Sequence, residues 1–452
     1  MTKIYSARWV LPITSEPIRD GAVAVEGTLI AGLGTRAEVS ERFPAAVVEE
    51  LGEAVVLPGF VNCHTHLELT AMRGFLEPEE GDFFAWLRKL TASRNERMTA
   101  EDLYVSAAWG AVEALRAGVT CVGDASDSGA TTMKALRDAG LRGIVYQEAF
   151  GPDARSAAEQ FDKARAKLYA LRGGESRLVK LGLSPHSPYT VAAPLLEMLA
   201  RLAVDERFPL MMHAAESEAE QSLMMEGGGI FAAGYALRGF AFDAPRTTPV
   251  RHLASVGVLD AYPLLAHCIR VDEGDVELLR RHGARVAHCP KSNAKLGHGR
   301  APLAALLNAG VHVGLGSDSV ASNNTCDLLE ESRYALLASR AAGETVEGRA
   351  LGAADALHMA TRGGAHALAL WHRVGTLYEG FEADLVAVRL DAAHQTPSYD
   401  PASTLVFSSS GRDVLLTVVA GREVFRDGRV TTLDEDDLRA RLLDAARRLA
   451  AS

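Results

Sequence analysis

Cysteine is scarce: the 452 residues hold five, an odd number scattered singly. They make no disulfide framework. No Cys-x-x-Cys pair occurs, which excludes the zinc deaminases built on His-x-Glu and Pro-Cys-x-x-Cys. No basic run interrupts a chain of formal net charge -11, so neither nucleic acid nor anionic membrane is its main partner. No apolar stretch reaches the roughly 18 residues that a bilayer crossing takes. Met1-Thr2-Lys3-Ile4 does not read as the start of a signal peptide. The expectation is a soluble cytoplasmic enzyme. Apolar residues, at 48%, supply a large core, and the length suits a (β/α)8 barrel with a small appendage.

Both ends of the chain read as short strands. One set covers residues 3–10, 21–26, 28–34 and 47–56, with Gly27 in a turn between the second and third. A matching set covers 384–389, 414–419 and 422–426, with a turn at Asp427-Gly428. The first set cannot bury both its faces alone. The two ends are therefore expected to meet in one small β-sandwich, 1–57 with 375–452, and the middle, 58–374, is inserted between them. Residues 434–450, rich in Leu and Arg, read as an amphipathic packing helix.

The middle alternates strands with helical patterns, the sign of βα units around a parallel sheet. After a first strand ending at His66, apolar runs cover 119–124, 143–148, 178–186, 209–213, 262–267, 285–289 and 311–318. Helical patterns lie between them, as at 102–117, 131–139, 192–204, 275–282 and 302–309. Several close in Ala-Gly, a helix stop. Eight βα units make an α/β fold of the (β/α)8 type, whose chemistry sits at the carboxyl ends of the strands.

Those ends are all polar. The first carries His64 and His66, which on a strand point to one face. Two neutral imidazoles so placed can grip one Zn²⁺ or Fe²⁺ ion. The next seven carry Asp124, Glu148, His186, His213 with Glu216 beyond it, His267, His288 and Asp318. One such residue alone is most simply a hydrogen-bonded core group. All of them around one barrel mouth make a site. Cys63, Cys268 and Cys289 adjoin the histidines but point away as strand neighbours, and read as small buried residues.

The runs Pro58-Gly59-Phe60-Val61-Asn62-Cys63-His64-Thr65-His66, Met212-His213-Ala214-Ala215-Glu216, Leu265-Ala266-His267-Cys268 and Val286-Ala287-His288-Cys289-Pro290-Lys291-Ser292-Asn293 carry a resemblance. Gly314-Leu315-Gly316-Ser317-Asp318 and Gly380-Phe381-Glu382-Ala383-Asp384-Leu385-Val386 complete it. Together they resemble the amidohydrolase superfamily, in its mononuclear branch of aminohydrolases acting on purines, pyrimidines and related rings. The resemblance implies one divalent metal, Zn²⁺ with Fe²⁺ as the alternative, held by His64, His66, His213 and Asp318. The binuclear branches carry a lysine at the end of the fourth strand. Here Lys180 comes too early, and His186 stands there instead. The resemblance also makes Glu216 the proton shuttle, His267 the group that orients the attacking water, and Asp318 the acceptor of its proton. Water would attack an amidine-like carbon such as C6 of adenine, and ammonia would leave.

Within that branch Trp86 resembles a lid residue that packs on a purine, and His186 a histidine that contacts a nucleoside. Ser292 and Asn293 resemble pocket-wall residues; His288 reads equally as pocket wall, support or packing. Asn95 stands where the S-adenosylhomocysteine and methylthioadenosine deaminases carry a ribose-binding Glu, and Gln147 falls near their carboxylate-binding arginine. Glu68 and Arg73, by contrast, resemble the aminodeoxyfutalosine deaminases. Glu68 would then bind ribose, and Arg73, Arg88 or Arg94 would receive a substrate carboxylate. The expected substrate is 6-amino-6-deoxyfutalosine, of futalosine-type menaquinone biosynthesis. The alternatives are S-adenosylhomocysteine, methylthioadenosine or adenosine, then guanine, a pterin or a triazine. A non-catalytic scaffold of this fold would be expected to have lost a ligand, and none is lost. The expected partner is thus a small purine nucleoside, on a homo-oligomer (dimer or tetramer).

Overall fold

The computed structural model describes residues 2–240 and 242–451. Eight parallel strands form the centre: β1 (Phe60–Thr65), β2 (Val119–Ser126), β3 (Arg142–Ala149), β4 (Val179–Pro185), β5 (Met211–Ala214), β6 (Leu264–His267), β7 (Arg285–His288) and β8 (Val313–Leu315). They are buried almost throughout, as strands covered on both faces must be. Hydrogen bonds join β1 to β4 in one run and β5 to β8 in another. Two seams close the ring. Leu183 on β4 bridges Leu210, with its N–H on the Pro209 carbonyl at 2.8 Å. Thr65 on β1 bridges Asp318, whose N–H donates to the His64 carbonyl at 2.9 Å. Barrel closure itself therefore brings His64 beside Asp318. Inside the ring Gly314 has room for no side chain: a Cβ there would lie 2.3 Å from Cys63 Sγ.

Helices coat the barrel, and local chemistry starts or stops several of them. Ala100–Arg116 begins in a capping box of Thr99 and Asp102, and Glu273–Arg281 in one of Asp272 and Asp275. Gly140, at φ 71°, ends Gly129–Ala139 in the left-handed region that glycine enters freely. The last helix, Glu435–Ala450, lies on Ala100–Arg116, where Arg448 bonds Asp102 and Arg441 bonds Glu101.

The two chain ends meet in a nine-stranded sheet, counted among the described residues. Its join is Ala54–Pro58, which pairs antiparallel with Leu385–Arg389 on one side and parallel with Thr2–Val10 on the other. Strand Arg422–Arg426 turns back into Arg429–Val430 through Asp427 and Gly428, both at positive φ as a tight hairpin requires.

The sheet is fastened to the barrel by one buried cation. Arg142, the first residue of β3, reaches Asp384 at 2.8 and 2.9 Å and Glu382 at 3.2 Å. That is why the run Glu382-Ala383-Asp384 has its acids. Replacing Arg142 by Ala strands the buried Asp384 carboxylate without a cation, while Glu382 keeps Arg177 at 3.0 Å and Arg373 at 2.7 Å, and the expected loss is about 3–5 kcal/mol of unfolding free energy. Equilibrium urea unfolding against wild type measures it.

Candidate active site

The mouth of the barrel is built under strain. Ala215, His267, Cys268 and Asp318 have φ of 53°, 74°, 45° and 57°, left-handed values at the ends of β5, β6 and β8. Non-glycine residues there cost about 1–2 kcal/mol each, and such strain gathers at functional sites. Asn62 on β1 holds the Asp318 turn from across the seam: its Nδ2 donates to Ser317 Oγ at 2.7 Å, and its Oδ1 accepts the Ser317 N–H at 2.9 Å.

Four side chains converge above that seam. His66 Nε2 lies 3.2 Å from His213 Nε2. Asp318 Oδ1 lies 3.4 Å from His64 Nε2 and 3.6 Å from His66 Nε2. His213 donates its Nδ1–H to the His186 carbonyl at 2.9 Å, so the neutral ring turns a lone pair at Nε2 toward His66. His64 Nε2 is buried with no hydrogen-bond partner among the described residues. Burial, reinforced by His64, lowers His66 to about 3, and burial with the surrounding histidines holds His213 well below its ordinary value. Uncharged imidazole nitrogens and a carboxylate oxygen facing one point are the donor set of a divalent transition metal. Asp318 keeps Oδ1 for that point because Oδ2 accepts the hydroxyls of Ser292 at 2.6 Å and Ser322 at 3.1 Å.

Glu216 stands beside this cluster. Its Oε1 is 3.7 Å from His267 Nε2 and 3.6 Å from His298 Nε2. The Glu220 carboxyl accepts the Ala215 and Glu216 N–H groups at 3.0 and 2.7 Å and fixes the backbone there. Burial pushes Glu220 up to about 7, the two N–H donors opposing it. His267 donates Nδ1–H to Asn293 Oδ1 at 2.8 Å, which aims Nε2 at Glu216.

Above lies a cavity of about 690 Å³, within the range of small-molecule sites. His66, His213, Glu216, His267 and Asp318 line it, together with an aromatic wall. Phe83 stacks on Trp86, centroids 6.0 Å apart, and Tyr189 on Phe231 at 4.4 Å. Trp86 is buried, and its Nε1–H has no partner among the described residues. His186 lines the opposite side, its Nδ1 within 3.1 and 2.9 Å of the Ser187 and Thr190 hydroxyls. Glu68, Glu148, Arg88 and Arg94 complete that lining. Burial raises the Glu148 carboxyl well above the usual range, and nearby Glu68 and Asp127 add to it.

Three of the substrate contacts expected from sequence do not line this cavity. Arg73 follows the tight turn Leu67–Met72 and swings outward, where its guanidinium pairs with Glu113. Ser292 and Asn293 lie behind the site and hold Asp318 and His267 instead. His288 is likewise absent from the wall; it faces a separate cavity of about 330 Å³. Arg94 lines the site but is engaged, at 2.8 Å from Glu68 and 3.1 Å from Asp127. Sequence reading missed His298, Glu220 and the Tyr189–Phe231 stack. A signal for His298 exists in Gly297-His298-Gly299, two glycines at φ 70° and 103° that turn the chain back on the site.

A parallel barrel with His-x-His on β1, further histidines on β5 and β6 and an aspartate after β8 is an amidohydrolase architecture. A model of the amidohydrolase family matches residues 55–424, and the chain belongs to that family. A 5-methylthioadenosine/S-adenosylhomocysteine deaminase of Pelotomaculum thermopropionicum is 34% identical over 432 residues, 95% of this chain and 94% of its own. A 5'-deoxyadenosine deaminase of Methanopyrus kandleri is 30% identical over 438 residues, 96% of each chain. Among solved structures, an adenosine deaminase of Xanthomonas campestris with bound zinc superposes with a TM-score of 0.86 at 28% identity, covering 100% of this chain and 99% of that one.

Proposed function

We propose that the chain is a zinc-dependent hydrolase that converts the 6-amino group of an adenine nucleoside to a 6-oxo group and releases ammonia. One observation carries this reading: the Glu216 carboxyl stands between His267 and His298, beside the His66–His213–Asp318 cluster and below a cavity with stacked aromatic walls. Relatives named as adenine nucleoside deaminases, matching nearly the whole chain, support it.

His64, His66, His213 and Asp318 would hold the zinc ion, which when bound lowers the pKa of water from 15.7 toward roughly 7. The chain's own groups do the rest. Trp86 and the other rings pack on the purine and exclude bulk water. His267, its ring fixed through Nδ1 by Asn293, orients the attacking water through Nε2. The Asp318 carboxylate takes the proton that the water loses on attack at C6. Glu216 gives its proton to N1 as negative charge builds there and takes the C6 hydroxyl proton as the oxo group forms, while the proton held on Asp318 passes to the departing amine. A carboxyl suits that position because it gives and takes a proton within one turnover.

A second reading, 6-amino-6-deoxyfutalosine, is favoured by a different observation. Arg88 and Arg238 line the cavity, are exposed, and have no side-chain partner among the described residues. They suit an anionic tail on the 5' side of the sugar. Ammonia release from adenosine, 5'-deoxyadenosine, methylthioadenosine, S-adenosylhomocysteine, 6-amino-6-deoxyfutalosine, guanine, cytosine and triazines tests both readings. The expected result is turnover confined to the adenine nucleosides. The highest kcat/KM for 6-amino-6-deoxyfutalosine selects the second reading, and a preference for guanine or a triazine overturns both.

A further inference from the structure

Of the acids on the cavity wall outside the metal cluster and Glu216, Glu96 is exposed to water, and the buried or half-buried ones, Glu68, Asp127 and Glu148, differ in whether their hydrogen bonds are already made. Glu68 is saturated. Its Oε1 accepts from Arg94 Nε at 2.9 Å and the Asp127 N–H at 3.3 Å, and its Oε2 from the Ser126 hydroxyl at 2.8 Å and the Ser128 N–H at 3.0 Å. Asp127 is held by Arg94 at 3.1 Å and Lys167 at 2.9 Å. Glu148, at the end of β3, is 8% exposed, and its Oε1 is buried with no hydrogen-bond partner among the described residues. His186 Nε2 stands 4.0 Å away, beyond hydrogen-bond reach. A buried polar atom left unpaired in a ligand cavity marks where a ligand group belongs.

Glu148, His186 and His213 also cluster closely enough to suggest a second ion. His213 has no nitrogen for it: Nδ1 serves the His186 carbonyl, and Nε2 faces His66. The missing partner is therefore a donor carried by the substrate.

We infer that Glu148, not Glu68, is the carboxyl that receives the sugar hydroxyls of the substrate, and that the site selects ribonucleosides over free bases and dideoxynucleosides. This rests on the adenine nucleoside reading above. A hydroxylated sugar completes the open Glu148 oxygen, whereas a substrate without the hydroxyls leaves it buried and unpaired. Sites built to bond a hydroxyl reject analogues that lack it far more strongly than apolar pockets reject a missing methylene.

The test compares kcat/KM for adenosine, 2'-deoxyadenosine, 3'-deoxyadenosine and 2',3'-dideoxyadenosine on the zinc-loaded full chain. Wild type should favour adenosine over the dideoxynucleoside by at least about 30-fold, well inside the range hydroxyl-reading sites reach. Glu148→Leu should shrink that ratio several-fold or more, adenosine turnover falling further than that of the dideoxynucleoside. Glu148→Asp, which keeps the acid and withdraws its oxygen, should narrow it in the same sense, and Glu148→Gln, which keeps an acceptor, should restore most of it. A wild-type ratio near one overturns the inference. So does a ratio that survives unchanged in the Leu or Asp variant. Adenosine turnover without hydroxyl discrimination would leave the deaminase reading standing; no ammonia from any nucleoside would overturn that reading and this inference with it.

Discussion

Protein stripped of divalent metal should release no ammonia from any adenine nucleoside, and one equivalent of Zn²⁺ per chain should restore turnover. The expectation follows from the spacing of the donors. His66 and His213 bring two Nε2 atoms within 3.2 Å of each other, and the Asp318 carboxylate lies 3.6 Å from His66 Nε2, so three donor atoms face one point. Both rings are neutral at pH 7, since burial keeps His66 at about 3 and His213 well below its ordinary value. No proton competes with the ion there. An ion that binds only the folded state stabilises it by RT ln(1 + [L]/Kd), about 4 kcal/mol at a thousandfold excess over Kd. Zinc should therefore raise the melting temperature as well as activity, and His213→Ala should lose both the bound ion by elemental analysis and the zinc-dependent rise in melting temperature. Full turnover by metal-free protein would exclude the mechanism.

The convergence of the candidate metal ligands was legible because strand periodicity fixes direction. Residues i and i+2 share a face, so His64 and His66 had to point together. The polar ends of the later apolar runs had to share their barrel mouth. Strand limits were less legible. Residues 311–318 read as one run, yet β8 is only Val313–Leu315, because the chain leaves the ladder to reach the left-handed Asp318. Residues expected at the substrate lie away from the cavity where side-chain direction is not set by a strand. Arg73 follows a tight turn in which each residue rotates the next by about a third of a circle, and nearness to His66 in sequence did not bring it to the cavity. Ser292 and Asn293 sit on the short helix Pro290–Lys295, whose inner face meets the backs of Asp318 and His267. The wall from Phe83–Arg97 was visible only at Trp86, and its partner helix Gly229–Leu237 begins in a glycine run that reads as loop. Glu148 was visible as a strand end. Its open oxygen was not, since hydrogen-bond accounting needs the neighbours that saturate Glu68.

Glu216→Gln should retain the metal and lose about 10²–10⁴ of kcat, the scale of a positioned acid–base group. The substitution is close to isosteric, and the Glu220 carboxyl bonds the backbone N–H of residue 216, not its side chain, so the loop should hold. None of the candidate ligands His64, His66, His213 and Asp318 is altered, so metal content by elemental analysis should match wild type. The amide can still bond N1 as a donor but has no proton to transfer. Substrate should accordingly bind, with the loss falling on kcat more than on KM, as expected for a group that acts in the transition state. A pH profile separates this from misfolding, because a deaminase without its shuttle should not regain rate at any pH where the protein stays folded. Activity within a few-fold of wild type would assign the proton to another group. The neighbours placed to take it are His298, at 3.6 Å from Glu216 Oε1, and His267, at 3.7 Å. His267 already uses Nδ1 on Asn293, while His298 has an unpaired Nε2. The double substitution Glu216→Gln with His298→Ala would then show which of them carries it.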